Sequence, residues 1–550
     1  MMDEELKKLI KEALTAFDLG GGDLKVGLEY PSDLSRGDYA TNVALVLAKQ
    51  SGENPLALAE KIVKELEVRQ PAWLASVAVA GPGFINFTLA PQFFADTLRA
   101  ILAAGKDYGC SQTLAGQKVI IEYTDPNPFK EFHIGHLMSN AIGEALSRLI
   151  ESQGATLARA CYQGDVGLHV AKALWGLLKL KPATLDAATL GRAYALGATE
   201  GDEQEVRELN RKIYERSDAT LNDLYDRGRK ASLEYFAALY QKLGTKFDFY
   251  FFESATGEFG KQLVTERTGE VFEQSDGAVI FPGEKYGLHT RVFINSEGLP
   301  TYEAKELGLA KIKHDAYPYD SSIVISGNEI NAYFQVLLKA LELVFPDLAA
   351  KTRHVSHGML RLPTGKMSSR TGDVVTAESL LTEVERRISA KIGAERELAT
   401  SDREAIAVAA VKYSILRQRP GKDIIFDLEQ SLSLEGDSGP YLQYACVRAR
   451  SVLQKTEVAP AVPETGVELN AVIRLLPRFP EVVRRAAADL APQQVVAYLT
   501  ELAAAWNAYY AEQQIIGSAE EAARLALAKA VSQTLTNGLD LLGIRVPEKM

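Results

Sequence analysis

Twice along the chain an apolar, β-branched run gives way, after a short loop, to a helix-spaced apolar pattern, and this alternation restricts the available folds more than any other feature. The first instance passes from Val119-Ile120-Ile121 through a Pro/Asn loop into Leu137, Ala141, Ala145 and Leu149, at fourfold spacing. The second passes from Ser322-Ile323-Val324-Ile325 through Gly327 into Phe334, Leu337, Leu338, Leu341 and Val344. Repeated strand–helix alternation implies a doubly wound parallel α/β sheet, whose ligand crevice lies beyond the carboxyl ends of its strands. The loops after Ile121 and Ile325 are therefore where chemistry is sought.

At 550 residues the chain is too long for one ordinary core. Residues 1–17 read as an amphipathic helix that Gly20-Gly21-Gly22 breaks. Helical spacing from Gly37 to Leu66 is interrupted at Asn54-Pro55, and Val77-Ala78-Val79 with Phe84-Ile85-Asn86-Phe87 reads as a hairpin around Gly81-Pro82-Gly83. These elements define an α+β N-terminal domain over 1–110. From Ser401 to Met550 strand signals almost vanish, so an all-α helical bundle is expected at 401–550, with the α/β domain at 111–400.

Composition removes several classes of function. Apolar and charged fractions of 47% and 24% are those of ordinary globular proteins. The opening MMDEELKKLIKEAL resembles neither a signal nor a transit peptide, and no uncharged apolar run approaches a membrane span. Cys110, Cys161 and Cys446 lack ligand spacing, so neither structural zinc nor a disulfide framework is indicated, and a reducing cytoplasm fits best. The net charge of −11 argues against indiscriminate nucleic-acid affinity but leaves room for a local basic face.

Two short motifs carry the chemistry. His133-Ile134-Gly135-His136 stands where a loop enters a helix, a place whose free N–H groups and dipole favour an anion. Taken alone, the two imidazoles could equally cap the helix or bind a metal. Lys366-Met367-Ser368-Ser369-Arg370, flanked by Gly365 and Gly372, could close a cation over polyphosphate, although such a stretch is more often a solvated basic turn.

In this order on an α/β sheet, the pair resembles the HIGH and KMSKS signatures of class I aminoacyl-tRNA synthetases. Gly37-Asp38-Tyr39-Ala40-Thr41-Asn42, Ala80-Gly81-Pro82-Gly83-Phe84-Ile85-Asn86 and Leu541-Leu542-Gly543-Ile544-Arg545-Val546-Pro547 narrow the resemblance to the arginyl-tRNA synthetases, over nearly the whole chain. The resemblance implies a tRNA-contacting N-terminal domain, a catalytic Rossmann domain with a connective insertion at about 170–290, and a C-terminal anticodon-binding domain. It further implies ATP, entering with Mg2+ as the substrate complex, L-arginine and tRNA(Arg) as partners, and a monomer without a resident metal. The implied reaction forms an adenylate, whose aminoacyl group a terminal ribose hydroxyl of tRNA then takes with release of AMP. Neither step demands a protein nucleophile.

By the same resemblance His133, His136 and Lys366 are the catalytic residues. Lys130, Gly135 and Ser368 join them around ATP, and Gly358 and Met359 contact adenine by backbone. Asp125, Asn127, Glu253, Tyr302 and Glu306 line the arginine pocket; Tyr302 and Glu306 share a face if a helix starts there. The sequence departs from the family at Arg370, at Ile330, where relatives carry Gln, and at Val166 and His169 in Gly164-Asp165-Val166-Gly167-Leu168-His169. His169 is accordingly read as structural. The C-terminal arginines Arg417, Arg419, Arg448, Arg450, Arg474, Arg478, Arg484 and Arg485, with Tyr441, Tyr444, Trp506, Tyr509 and Tyr510, assign that region to tRNA without assigning any one residue. Three other readings stay open. A cysteinyl-type ligase would need zinc ligands, a nucleotidyltransferase of the same superfamily would lack the flanking domains, and a non-catalytic RNA-binding paralogue is opposed by intact His133, His136 and Lys366.

Overall fold

The computed structural model describes residues 2–19, 24–31, 33–361, 376–392, 398–464 and 466–550. These form two compact units, each assembled from separated segments. The first comprises Met1–Cys110, Tyr441–Arg485 and Ala497–Gly538; the second comprises Ser111–Pro440, Ala486–Val496 and Leu539–Met550.

In the first unit a three-stranded antiparallel sheet is built from β1 (Tyr39–Thr41), β2 (Leu74–Ala80) and β3 (Phe84–Leu89), in the order β1-β3-β2. The expected hairpin is β2–β3, in register from Val77 opposite Phe87 to Ala80 opposite Phe84. Asn54 caps the helix Pro55–Val68 by accepting from the Leu56 and Ala57 N–H groups, which is why the helical pattern breaks at Asn54-Pro55. The N-terminal segment and the C-terminal helices share this unit through side chains: Arg474 pairs with Asp38, Arg484 with Asp3, and Tyr30 donates to Glu481 at 2.5 Å. Arg474 and Arg484, which sequence alone offers to RNA, thus serve internal packing, and Trp506 is fully buried.

The second unit is organised by a five-stranded parallel sheet. Its strands are β4 (Lys118–Glu122), β5 (Thr156–Gln163), β6 (Phe249–Phe252), β7 (Ser321–Gly327) and β8 (Thr352–His357), in the order β8-β7-β4-β5-β6. Ile120 and Ile121 are wholly buried and Ile323, Val324 and Ile325 nearly so, as strands covered on both faces require. The order reverses at β4, where the crevice of a doubly wound sheet opens. The family stretch read as one insertion at 170–290 proves discontinuous. Its helices Leu168–Leu180, Ala187–Thr199, Glu203–Glu215 and Ala219–Leu243 bury a core around Val170, Leu174, Leu190 and Ile213, but β6 then returns to the main sheet before a small antiparallel sheet follows over residues 273–294. Four residues of β6 are too few for periodicity to separate from the preceding helix. The helix Thr400–Leu416, placed by sequence in the C-terminal bundle, belongs to this second unit, which runs on to Pro440. It is almost entirely buried from Ala405 to Leu416, so its apolar pattern looks like that of a bundle helix.

Candidate active site

The loop leaving β4 carries most of the chemistry and is held in a costly conformation. Thr124, Asp125 and Phe129 have φ of 81°, 46° and 69°, a region costing of order 1–3 kcal/mol each for residues with a Cβ. Each is pinned by a hydrogen bond: Ser139 Oγ accepts from the Thr124 N–H at 2.9 Å, Asp125 Oδ1 accepts from the Tyr162 N–H at 2.7 Å, and Ser232 Oγ accepts from the Phe129 N–H at 2.9 Å. Asp125 thereby ties the ends of β4 and β5 together with its carboxylate. Burial and the nearby Glu122 push that carboxyl well above its ordinary range, with Lys313 opposing.

His133 caps the helix α1 (Ile134–Glu151). Its Nδ1 accepts from the Gly135 N–H at 3.0 Å, and His136 Nδ1 accepts from the His133 N–H at 3.3 Å. An Nδ1 that accepts carries no proton, so each neutral ring is the Nε2–H tautomer and offers one outward donor. The rings stack at 3.5 Å, a spacing that two imidazolium charges would oppose. Burial lowers both from their ordinary value, His136 far more, and the charge of Lys130 lowers each further. Gly135 is required because a Cβ there would lie 2.9 Å from the His133 ring. Lys130 Nζ sits over the Tyr194 ring at 4.6 Å.

The expected arginine residues come from three elements, the loop after β4, which carries Asp125 and Asn127, and two helices. Gly164, at the end of β5, marks their meeting point: a Cβ on it would lie 2.4 Å from Asn127 Oδ1 and 3.1 Å from Glu253 Oε1. Glu253 opens the helix α2 (Glu253–Glu266), and Tyr302 opens α3 (Tyr302–Ala316), so Tyr302, Lys305 and Glu306 share its first turns. These helices touch backbone to backbone; a Cβ on Gly260 would fall 1.9 Å from the Ala304 carbonyl oxygen, and one on Gly308 would fall 2.5 Å from that of Thr256. The approach brings buried Lys305 Nζ to Glu253 Oε2 at 2.6 Å, while buried Lys313 Nζ meets Glu122 Oε2 at 2.7 Å. Glu306 has no ion-pair partner among the described residues. Burial pushes its carboxyl well above the ordinary range, Glu122 adds to the shift, and Lys313 opposes it. Glu306, like Asp125, is a raised carboxyl with no cation at ion-pair distance among the described residues.

Other expectations fare differently. Met359 donates its N–H to Asp423 Oδ1 at 2.9 Å, and its carbonyl accepts from the Ile424 N–H at 2.8 Å. Its N–H is therefore committed within the protein, while its carbonyl keeps a second lone pair and its side chain is half-exposed; a Cβ on Gly358 would strike the Lys422 carbonyl. Lys366, Ser368 and Arg370 lie outside the described residues. His169 Nε2 is 2.8 Å from the Gly164 carbonyl oxygen, and burial lowers it to about 4, in keeping with a structural ring.

Sequence reasoning passed over Asp165, Lys305, Glu329 and His357. Asp165, wholly buried, accepts from the Ser254 N–H and Oγ–H at 2.9 and 2.7 Å and from Tyr225 at 3.2 Å, and forms an ion pair with Arg229 at 2.9 Å. It fixes the residue next to Glu253. The Glu329 carboxylate folds over Gly327 at the end of β7 and is close enough to oppose, in part, the lowering that burial imposes on His133 and His357. Only the position of Glu329 after a sheet strand could have signalled it.

Residues 97–428 match the family model for the catalytic domain of class I tRNA synthetases (R). Residues 4–89 match the arginyl tRNA synthetase N-terminal domain, and 442–550 the DALR anticodon binding domain. Arginine–tRNA ligase of Limosilactobacillus reuteri (strain DSM 20016) is 32% identical, over 100% of this chain and 99% of its own. That of Treponema pallidum subsp. pallidum is 31% identical over 95% and 94%. The solved arginyl-tRNA synthetase of Thermus thermophilus covers 100% of both chains with a TM-score of 0.83 and 26% identity.

Proposed function

The chain belongs to the class I arginyl-tRNA synthetases, and from that membership we propose that it activates L-arginine with ATP and esterifies it to tRNA(Arg) through the residues gathered at Gly164 and at the start of α1. In the first step a carboxylate oxygen of arginine attacks the α-phosphorus of ATP, the bond to pyrophosphate breaks, and arginyl-adenylate forms. In the second a ribose hydroxyl of the terminal adenosine attacks the activated carbonyl, AMP leaves, and the hydroxyl proton passes to solvent. ATP enters as its magnesium complex.

His133 and His136 serve the phosphates. Their Nε2–H groups are neutral donors in a partly dry site, strong where negative charge grows and without the repulsion that a buried imidazolium pair would suffer. Lys130 adds the fixed charge, and Lys366 with Ser368 supplies the closing cation of the second signature. Met359 packs by side chain. The arginine guanidinium supplies the cation that Glu306 lacks, with Asn127 and Glu253 Oε1 reached across Gly164 and Tyr302 along the same face of α3. We read the chain as a cytoplasmic monomer; among the described residues no helix is long and apolar enough to cross a membrane. The residues 1–110 and 442–550 would contact tRNA, the latter at the anticodon.

The observation that carries this reading is the missing cation at Glu306. Truncating a desolvated carboxylate that faces a guanidinium costs about 2–5 kcal/mol, so Glu306→Gln is expected to raise the arginine KM at least roughly thirtyfold. The ATP KM should stay within about twofold. Steady-state pyrophosphate exchange in the presence of tRNA checks both, and a normal arginine KM in that variant would place the pocket elsewhere.

A further inference from the structure

Glu253 is not an open receptor. Its Oε2 is held at 2.6 Å by Lys305 Nζ, and both side chains are almost wholly buried, with relative exposures of 6% and 5%. The ammonium also lies 5.1 Å from the Tyr302 ring centre and 5.7 Å from that of Tyr214, which comes from the insertion helix Glu203–Glu215. One carboxylate and two aromatic faces make a cage of the kind that recognises alkylammonium groups. Burial pulls the ammonium down, yet Glu253 and Tyr214 more than offset it, so Lys305 stays charged.

Building on the reading that Glu253 and Glu306 receive the substrate, we infer that Lys305 is a specificity-determining residue, an internal ammonium that fills the alkylammonium cage and so excludes lysine while leaving Glu253 Oε1 for arginine. Lysine and arginine share their charge and most of their length, and a carboxylate alone discriminates weakly between them. With the cage occupied, a substrate ammonium would have to share Glu253 with a like charge at short range. A planar guanidinium spreads its charge over a fork of donors, and can meet Glu253 Oε1, Asn127 and Glu306 from the Gly164 side without entering the cage. Rejection thus comes from a built-in repulsive group as well as from better contacts for the right substrate.

The test is the ratio of kcat/KM for arginine to that for lysine, measured by tRNA charging in the full chain for the wild type, Lys305→Met and Lys305→Arg. Methionine keeps the stem and removes the charge. The ratio is expected to fall at least about tenfold in Lys305→Met, with lysine gaining through a lower KM, and to be largely restored in Lys305→Arg, which refills the cage. A Lys305→Gln variant, still able to donate to Glu253, covers the case in which Met disturbs folding, and should relax the ratio in the same direction. If lysine gains nothing in either Met or Gln while Glu306→Gln still raises the arginine KM, the inference about Lys305 falls and the pocket stands. If Glu306→Gln and Glu253→Gln both handle arginine normally, the pocket itself falls.

Discussion

At the scale of the residue, the decisive feature of the phosphate side is the state of two imidazoles. Both Nδ1 atoms accept backbone N–H groups, and burial lowers both rings from the ordinary histidine value near 6.5. A group with a lowered pKa remains neutral where a solvated histidine gains its proton, so as pH falls both rings should titrate below the ordinary value, His136 further below it than His133. Long-range 15N–1H spectra of histidine-labelled protein, assigned with His136→Asn, should show both as Nε2–H tautomers at neutral pH and each gaining its proton only below the ordinary histidine midpoint. A ring that protonates near 6.5 would remove the neutral-donor account. The histidine motif could be singled out from sequence because it sits at a patterned place, the first turn of a helix that follows a strand, whereas Glu306 is reached only through the family resemblance. Lys305 and Asp165 could not, since each owes its role to a partner far along the chain: Glu253 in one case, Tyr225 and Ser254 in the other. Met359 shows the converse, for its exposed position suits a nucleotide but its N–H is already taken by Asp423.

At the scale of the element, the arginine side depends on how closely two helices approach. The first turns of α2 and α3 bring Glu253 and Lys305 together because Gly260 and Gly308 allow backbone contact further along. Gly260→Ala would put a Cβ 1.9 Å from the Ala304 carbonyl oxygen and force the helices apart, at about 1–3 kcal/mol of overpacking. The variant is expected to lose stability by that amount in urea melts and to raise the arginine KM more than the ATP KM, because the histidines stand on α1. Equal loss of both would mean that the helix pair does not set the pocket. The parallel strands β4 and β7 were legible through their continuous apolar runs, whereas β6 was hidden by its length. The sheet extends over β6 only through tertiary pairing with β5, which no local pattern encodes.

At the scale of the whole molecule, chain order and spatial order part company. The N-terminal segment and most of the C-terminal helices form one unit, tied by Asp3–Arg484 and Asp38–Arg474, so cation-rich helices that look like a nucleic-acid surface in sequence spend part of their charge on partners inside the unit. The catalytic unit keeps the helix Thr400–Leu416 and the final residues from Leu539. Sequence motifs identified the family because they are local; the division of the chain between units is not local and had to be seen. The central claim joins these scales, that a pocket in which Glu306 awaits a cation, beside two neutral histidine donors, selects arginine and loads it onto tRNA. Its most direct measurement is charging of total tRNA by the purified full chain with each of the standard amino acids in turn, with ATP and magnesium present. Arginine alone should be esterified to tRNA, with release of AMP and pyrophosphate; stable charging by another amino acid in place of arginine, or none by arginine, would contradict it.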